Sequence, residues 1–247
     1  MKKLICKTLI STAIALLASS AVAAPVLVAQ TPWGSNSDVT NMTTVFGAGN
    51  FLNFSTFAAA SASATSIFSA GNDFVMLEGG ANTDVPLQSF LTTYGALIGS
   101  WVDSGGSLLI QSAGWGTGIT FAGVNLVVNQ ANGCGTLTAA GVAAFTTAVN
   151  QCGSSLAHDT IAGSGLTSFM VGDDNGGSII AGKAVGAGYI MYSGLTTSNF
   201  HFDGPSLTTS LIEYTAAQAT DVPEPASIAL LVAGLAGIGA MRRRASK

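Results

Sequence analysis

Three short apolar runs predict buried strands in the first half of the chain. They are Val26 to Gln30, Asp73 to Glu78 and Ser107 to Gln111. In each run the apolar residues are nearly continuous rather than alternating with polar ones. That pattern is typical of strands that are buried on both faces of a sheet.

The clearest helix lies between the second and third of these strands. From Pro86 to Val102, apolar residues recur at three- and four-residue spacing and form one stripe. Proline is favoured in a first helical turn, and Gly105-Gly106 suits the end of the helix. A shorter helix is predicted from Ser37 or Asp38 to Phe46.

The remaining pattern is weaker. Phe51 to Ala58 favours a strand, and Ala59 to Ala70 a helix or loop rich in small residues. Ile119 to Val128 has the alternation of a hairpin or an insertion. Thr138 to Val149 and Pro205 to Ala217 favour helices.

A glycine turn near the end of the domain separates two further apolar runs, Ser178 to Ala184 and Gly188 to Ser193, which predicts a strand pair. Together with the alternation of strands and helices in the first half, this predicts an α/β fold: a single three-layer domain with a mostly parallel sheet.

The chain also resembles the class I glutamine amidotransferase-like or ThuA-like group of flavodoxin-like domains. Three blocks carry the resemblance: Phe74 to Gly80, Trp101 to Ile110 and Gly186 to Gly194. The resemblance implies a flavodoxin-like sheet.

Residues 1–23 have the three parts of a secretory signal, for which we expect a helix. A basic start precedes an apolar stretch, and Ala21 and Ala23 provide the small residues of a cleavage site. We therefore expect export through the Sec translocon, followed by an ectodomain over residues 24–220.

The last segment, residues 221–247, has three parts in order. Val222-Pro223-Glu224-Pro225 comes first, then an apolar run from Ala226 to Met241, then Arg242, Arg243 and Arg244. As a helix the run would extend about 24 Å, which predicts a single transmembrane helix with its arginines on the cytoplasmic side. An ordinary single-span anchor would also have this pattern.

This order resembles the PEP-CTERM sorting signal of Gram-negative bacteria. The resemblance implies an exosortase as a partner, which would cut near Pro223-Glu224-Pro225. It also implies a transient anchor in the inner membrane, then delivery to the cell surface or extracellular matrix. Proteins with this signal usually accompany exopolysaccharide production and biofilm formation.

Charge narrows the choice of partners. Seven of the eight Lys and Arg residues lie in the two terminal signals. The ectodomain therefore has one basic residue, Lys183, and ten carboxylates, which gives it a net charge of about −9. Nucleic-acid binding needs a basic face, so we expect no nucleic-acid partner. Extracellular polysaccharide or surface components fit the hydroxyl-rich composition, and no cofactor is expected.

Cys134 and Cys152 are the two cysteines of the ectodomain. An oxidising compartment favours a disulfide between them. Two separate buried thiols, or a pair of metal ligands, are the alternatives.

Candidates for catalysis are few, and we predict no catalytic site. The cysteine that enzymes of the amidotransferase-like group place after a central strand is absent, because Ser112 follows that strand here. Ser112 lacks the glycine spacing of a nucleophile elbow. His201 with Asp203, or alternatively His158, could complete a serine triad, although loop histidines with a structural role explain both positions.

Two further groups could bind ligands. Asp173, Asp174 and Asn175 place oxygen atoms close together, but lack the spacing of a calcium loop, so a tight turn explains them better. Trp33 and Trp115 follow predicted strand ends and could stack on sugars, whereas Trp101 lies on the helical stripe.

Taken together, these features of the sequence predict a non-enzymatic structural or binding component of a polysaccharide matrix. The alternatives are a serine hydrolase or amidotransferase-like enzyme of the envelope, and a carbohydrate-binding module.

Overall fold

A computed structural model describes residues 24–30, 36–80, 84–115, 118–145 and 151–219. Within these ranges the strands are β1 (Val26–Ala29), β2 (Leu52–Phe54), β3 (Phe74–Glu78), β4 (Ser107–Gln111), β5 (Ile119–Phe121), β6 (Val124–Leu137), β7 (Gln151–Gly163), β8 (Thr167–Gly172), β9 (Ser178–Val185) and β10 (Gly188–Ser193). The helices are α1 (Ser37–Phe46), α2 (Phe57–Ala62), α3 (Ala64–Ile67), α4 (Asp84–Asp103), α5 (Ala139–Ala144) and α6 (Ser206–Ala216), with a 3₁₀ turn at Ser198–Phe200.

All of these strands belong to one mixed sheet. Their order is β2-β1-β3-β4-β10-β9-β7-β6-β5, and β8 pairs with both β6 and β9. Pairing is parallel from β2 through β1, β3 and β4 to β10. Every other pairing among the described strands is antiparallel.

The predicted fold class is therefore wrong. The sheet is not the mostly parallel sheet of a flavodoxin-like domain, because β6, β7 and β8 add a wide antiparallel half. Their segments, such as Gln151–Gly163, are rich in Gly, Ser, Thr and Ala and contain no long apolar run. Antiparallel strands also need no crossover helix, so the alternation of strands and helices stops where this half begins.

Several individual elements are confirmed. The strands at β1, β3 and β4, the long helix α4 and the antiparallel pair β9–β10 lie where the apolar pattern predicts them. The final helix α6 does too. By contrast, β2 has three residues, and α5 ends at Ala144 instead of continuing to Val149.

Helix α4 packs on one face of the sheet with α2 and α3. Its predicted stripe is largely buried there, and the Trp101 indole N–H donates to the Asn72 carbonyl at 2.9 Å. A Cβ atom at position 106 would overlap the Trp101 ring, so glycine is required where α4 turns into β4. Helices α1 and α6 cover the opposite face, where Met42, Leu207 and Leu211 join the second hydrophobic core.

The expected signal helix in residues 1–23 and the expected membrane helix at 226–241 lie outside the described residues. Among the residues that are described, no helix is both long enough and apolar enough to cross a membrane.

The predicted disulfide is present. Cys134 of β6 and Cys152 of β7 are register partners on adjacent strands and are joined by a bond between their sulfur atoms. The bond closes a loop of 18 residues and fixes one end of the longest strand pair in the antiparallel half.

We expect removal of the disulfide in Cys134→Ser/Cys152→Ser to lower the free energy of unfolding by about 3 kcal/mol, since the unfolded chain regains the entropy of an open loop. Thermal unfolding of both proteins, with and without reductant, measures this. Reductant should lower the Tm of the parent protein and leave that of the variant unchanged. Equal Tm values for the parent protein and the variant in the absence of reductant would contradict the prediction.

Candidate functional site

Polar residues form one row at the carboxyl edge of the parallel strands. Glu78 of β3 is the register partner of Gln111 of β4, and Gln111 is the partner of Ser193 of β10. Register partners on parallel strands point to the same face. This face is the one covered by α1 and α6, and all three side chains are buried. The segments that follow β1, β3 and β4, residues 31–35, 81–83 and 116–117, lie outside the described ranges.

Two buried carboxyl groups meet at this row. Asp38, in the first turn of α1, and Glu78 are each 1% exposed. One Glu78 oxygen accepts the Gly80 backbone N–H at 2.7 Å. The other Glu78 oxygen, both Asp38 oxygens and both polar atoms of Gln111 have no hydrogen-bond partner among the described residues.

Burial of these carboxyl groups favours their protonated forms. It raises the pKa of Asp38 to about 7. The pKa of Glu78 lies well above its usual range, first because of burial and then because of the negative charge of Asp38. Because the charge of Asp38 further disfavours ionisation of Glu78, the pair retains at least one proton at neutral pH.

A third buried acid, Asp159, extends the cluster from β7. Burial raises its pKa to about 7; the Gly114 backbone N–H opposes that shift, and the charge of Asp84 adds to it. No group of three or more His, Cys, Asp or Glu side chains among the described residues has the arrangement of a metal site. Burial and mutual repulsion keep these acids partly protonated beneath the strand ends.

The structure does not assemble the serine triad considered from the sequence. Ser112 is fully buried, and its hydroxyl has no partner within the described part of the chain. His201 is also buried, and its Nε2 lies 3.4 Å from the Thr196 hydroxyl. Asp203 is exposed on the turn before α6, so no contact joins these three side chains in the described structure.

His158 of β7 instead lies buried beside the end of β4. Its Nδ1 is 3.2 Å from the Ala113 carbonyl oxygen, and its Nε2 is 2.6 Å from the Ser155 hydroxyl. The indole of Trp115 packs against the imidazole with ring centroids 4.1 Å apart. Burial lowers the pKa of His158, and the Ala113 carbonyl opposes that shift.

Trp115 is 50% exposed, although its ring packs on the buried side chain of His158. Trp101 is buried in the core, as its position on the helical stripe predicts. Trp33 lies outside the described residues, so its suggested stacking on sugars stays a prediction.

Asp173, Asp174 and Asn175 form the turn between β8 and β9. Their oxygens already accept protein hydrogen bonds: Asp173 from the Thr136 hydroxyl at 2.9 Å, Asp174 from the Gly133 N–H at 2.8 Å, and Asn175 from the Gly177 N–H at 2.8 Å. The first two contacts tie the turn to β6 and the third closes the turn itself, which fits a structural role for the three side chains.

Sequence reasoning missed Ser155, Asp38, Glu78 and Asp159 as members of one region. Glu78 does carry a signal, since it ends the apolar run from Phe74 to Leu77, whereas Asp38 is marked only as a candidate helix cap. Ser155 carries none. On a regular strand, residues three apart point to opposite faces, so nothing in the sequence pairs Ser155 with His158.

The C-terminal segment of the chain matches a known family model. Residues 221–244 match the family model for the PEP-CTERM protein-sorting motif. The match supports an exported protein that is sorted by an exosortase, as the sequence predicts. A comparison of the chain with curated proteins finds no match.

Three of the solved structures to which the chain is weakly similar are glycosidases. A β-galactosidase from Rahnella sp. R3 has 13% identity and a TM-score of 0.46, covering 82% of this chain and 33% of that one. A β-galactosidase from Bacillus circulans sp. alkalophilus has 9% identity and a TM-score of 0.43, covering 79% and 30%. The exo-β-1,4-mannosidase Op5Man5 from Opitutaceae bacterium strain TAV5 has 13% identity and a TM-score of 0.41, covering 80% and 36%. The chain thus spans about a third of the length of each, and the predicted amidotransferase-like resemblance finds no support.

The buried acids make stability depend on pH. Folded Asp38 keeps its proton up to about pH 7, whereas the unfolded chain loses it near 3.8. The folded state therefore binds more protons between these values, and stability falls as pH rises through this window. Asp38→Asn removes the cost of one buried charge, so we expect a smaller loss of stability between pH 5 and pH 8, by at least about 1 kcal/mol.

Urea unfolding at the two pH values tests this expectation. Asp203→Asn, which changes an exposed acid, is the matched control and should unfold like the parent protein. An Asp38→Asn variant with the same pH dependence as the parent would show that Asp38 is ionised in the folded protein.

Proposed function

We propose that this exported, exosortase-sorted protein is a binding component of an extracellular polysaccharide matrix, and that its ectodomain binds glycan at Trp115. The observation that carries the proposal is the half-exposed Trp115 indole, held in place by its contact with the His158 ring.

An indole in this position suits a sugar ring. One part of Trp115 is fixed against His158, so little side-chain freedom is left to lose when a ligand binds. The exposed part offers a flat apolar surface that the C–H face of a pyranose can cover, which removes apolar area from water. The site also lies beside the carboxyl ends of β4 and β10, where open sheets with parallel strands commonly bind ligands.

Charge indicates the kind of polymer. With a net charge of about −9 on the ectodomain, an anionic polysaccharide would be repelled at low salt. We therefore propose a neutral glycan, bound through apolar contact and hydroxyl hydrogen bonds.

Delivery to the matrix depends on the sorting motif. We expect Pro223→Ala/Glu224→Ala/Pro225→Ala to leave the tail uncut, because the exosortase no longer recognises its cleavage region. An immunoblot of membrane, surface and medium fractions should show a larger precursor in the membrane fraction and little protein at the surface. Pro86→Ala, in the ectodomain, is the control and should be processed normally; normal processing of the motif variant would contradict the prediction.

We expect Trp115→Ala to weaken binding of the exported protein to the neutral exopolysaccharide of its host at least about tenfold, the loss of roughly 1.4 kcal/mol of contact. Co-sedimentation with the isolated polymer measures the affinity.

Phe202→Ala is the matched control, since Phe202 is an aromatic residue with 73% exposure and has no ring contact among the described residues. Unchanged affinity in Trp115→Ala, with both variants folded, would overturn glycan binding at this surface.

A further inference from the structure

The strand that carries His158 is irregular where it carries Ser155. Along β6 and β7, Asn132 pairs with Ala157 and Cys134 with Cys152, so five steps on β7 match two on β6. A bulge of this kind changes the direction of side chains on the bulged strand. It explains how Ser155 and His158, three residues apart, come within 2.6 Å.

The hydrogen bonds of His158 define its tautomer. A carbonyl oxygen only accepts hydrogen bonds, so Nδ1 carries the proton and donates it to Ala113 O. In the neutral ring Nε2 is then the acceptor, and the Ser155 hydroxyl donates to it. A serine hydroxyl that donates to an unprotonated imidazole nitrogen has the arrangement of an activated nucleophile and its general base.

The surroundings favour the neutral imidazole, because burial lowers the pKa of His158 and so leaves Nε2 available to accept a proton. The Ala113 carbonyl accepts the hydrogen bond from Nδ1–H, and the Trp115 ring packs against the imidazole at an interplanar angle of 54°, so both contacts hold the ring in place. The Thr196 hydroxyl donates to the Ser155 carbonyl oxygen at 2.5 Å, which holds the Ser155 backbone in the bulge. Ser155 itself is partly exposed, so a substrate can approach its hydroxyl from solvent.

From this geometry we infer that Ser155 and His158 form a nucleophile–base pair that cleaves carboxylic esters. The Ser155 oxygen attacks the acyl carbon while Nε2 takes the hydroxyl proton; the ester C–O bond breaks, and Nε2–H gives its proton to the departing alcohol. Water then attacks the acyl-serine and passes a proton through Nε2. The acid is released and the Ser155 hydroxyl is restored. Overall, an ester and water give an acid and an alcohol.

This activity goes beyond glycan binding and does not require it. A glycan bearing acyl groups would be a suitable ester only if the proposed binding at Trp115 holds. The test therefore uses small probes that need no glycan, so that its failure and the failure of glycan binding are separate results.

The experiment treats the exported protein with a fluorophosphonate and locates the adduct by peptide mass spectrometry. Ser155 oxygen should displace fluoride and carry the phosphonate. In parallel, hydrolysis of p-nitrophenyl acetate is followed by release of p-nitrophenol. We expect Ser155→Ala to abolish both signals, and His158→Gln to slow both by about a hundredfold or more.

Ser154→Ala is the matched control. Ser154 is the exposed neighbour of Ser155, and its hydroxyl lies 3.5 Å from the Phe200 carbonyl rather than beside an imidazole; this variant should behave like the parent protein. Circular dichroism verifies that each variant is folded. The inference is overturned if the parent protein carries no adduct on Ser155, if it does not hydrolyse the ester, or if folded Ser155→Ala retains hydrolysis.

Discussion

Strand β10 forms hydrogen bonds with a parallel neighbour, β4, on one side and with an antiparallel neighbour, β9, on the other. Nearly every residue of β10 is buried, so each backbone N–H and C=O must find a partner in the sheet. The helix-bearing parallel half and the hairpin-rich antiparallel half are therefore one hydrogen-bonded sheet. The close approach of Gly188 to the carbonyls of Val102 and Gly106 leaves no space for a Cβ at the start of this strand.

The segment after β10 places the site. The Gly194 carbonyl oxygen accepts the His158 backbone N–H at 3.1 Å, and the Thr196 N–H donates to the Leu156 carbonyl at 3.0 Å. These bonds hold the bulged part of β7 beside the end of β4, from which Ala113 and Trp115 reach His158. The disulfide secures the other end of the same bulge. Ser155 and Trp115 thus both contact His158 because hydrogen bonds hold β7, the end of β4 and the segment after β10 side by side. These segments are distant in the sequence.

The sequence predicts the apolar elements well, since a continuous run or a helical stripe reflects burial directly. The strands β1, β3 and β4 and helix α4 follow from residues such as Leu77, Ile110 and Trp101. It does not predict β7, because Gln151–Gly163 is buried largely through small and polar residues that have no periodic apolar signal. The mixed sheet was missed for that reason. The role of Ser155 was missed for a related reason. The bulge depends on how β7 pairs with β6, and the local sequence does not indicate that pairing.

Trp115 and Ser155 use different sides of His158, and this separates the two proposed activities. The Trp115 indole contacts the imidazole ring, and Trp115 is half exposed to solvent. The Ser155 hydroxyl contacts Nε2, in a position fixed by the β7 bulge and by Thr196 rather than by the indole. Loss of the exposed indole surface removes contact area with a polymer and leaves the Ser155–Nε2 hydrogen bond in place. Loss of the Ser155 hydroxyl removes the nucleophile and leaves the indole surface intact. Binding and ester cleavage can therefore be present separately or together at this edge of the sheet.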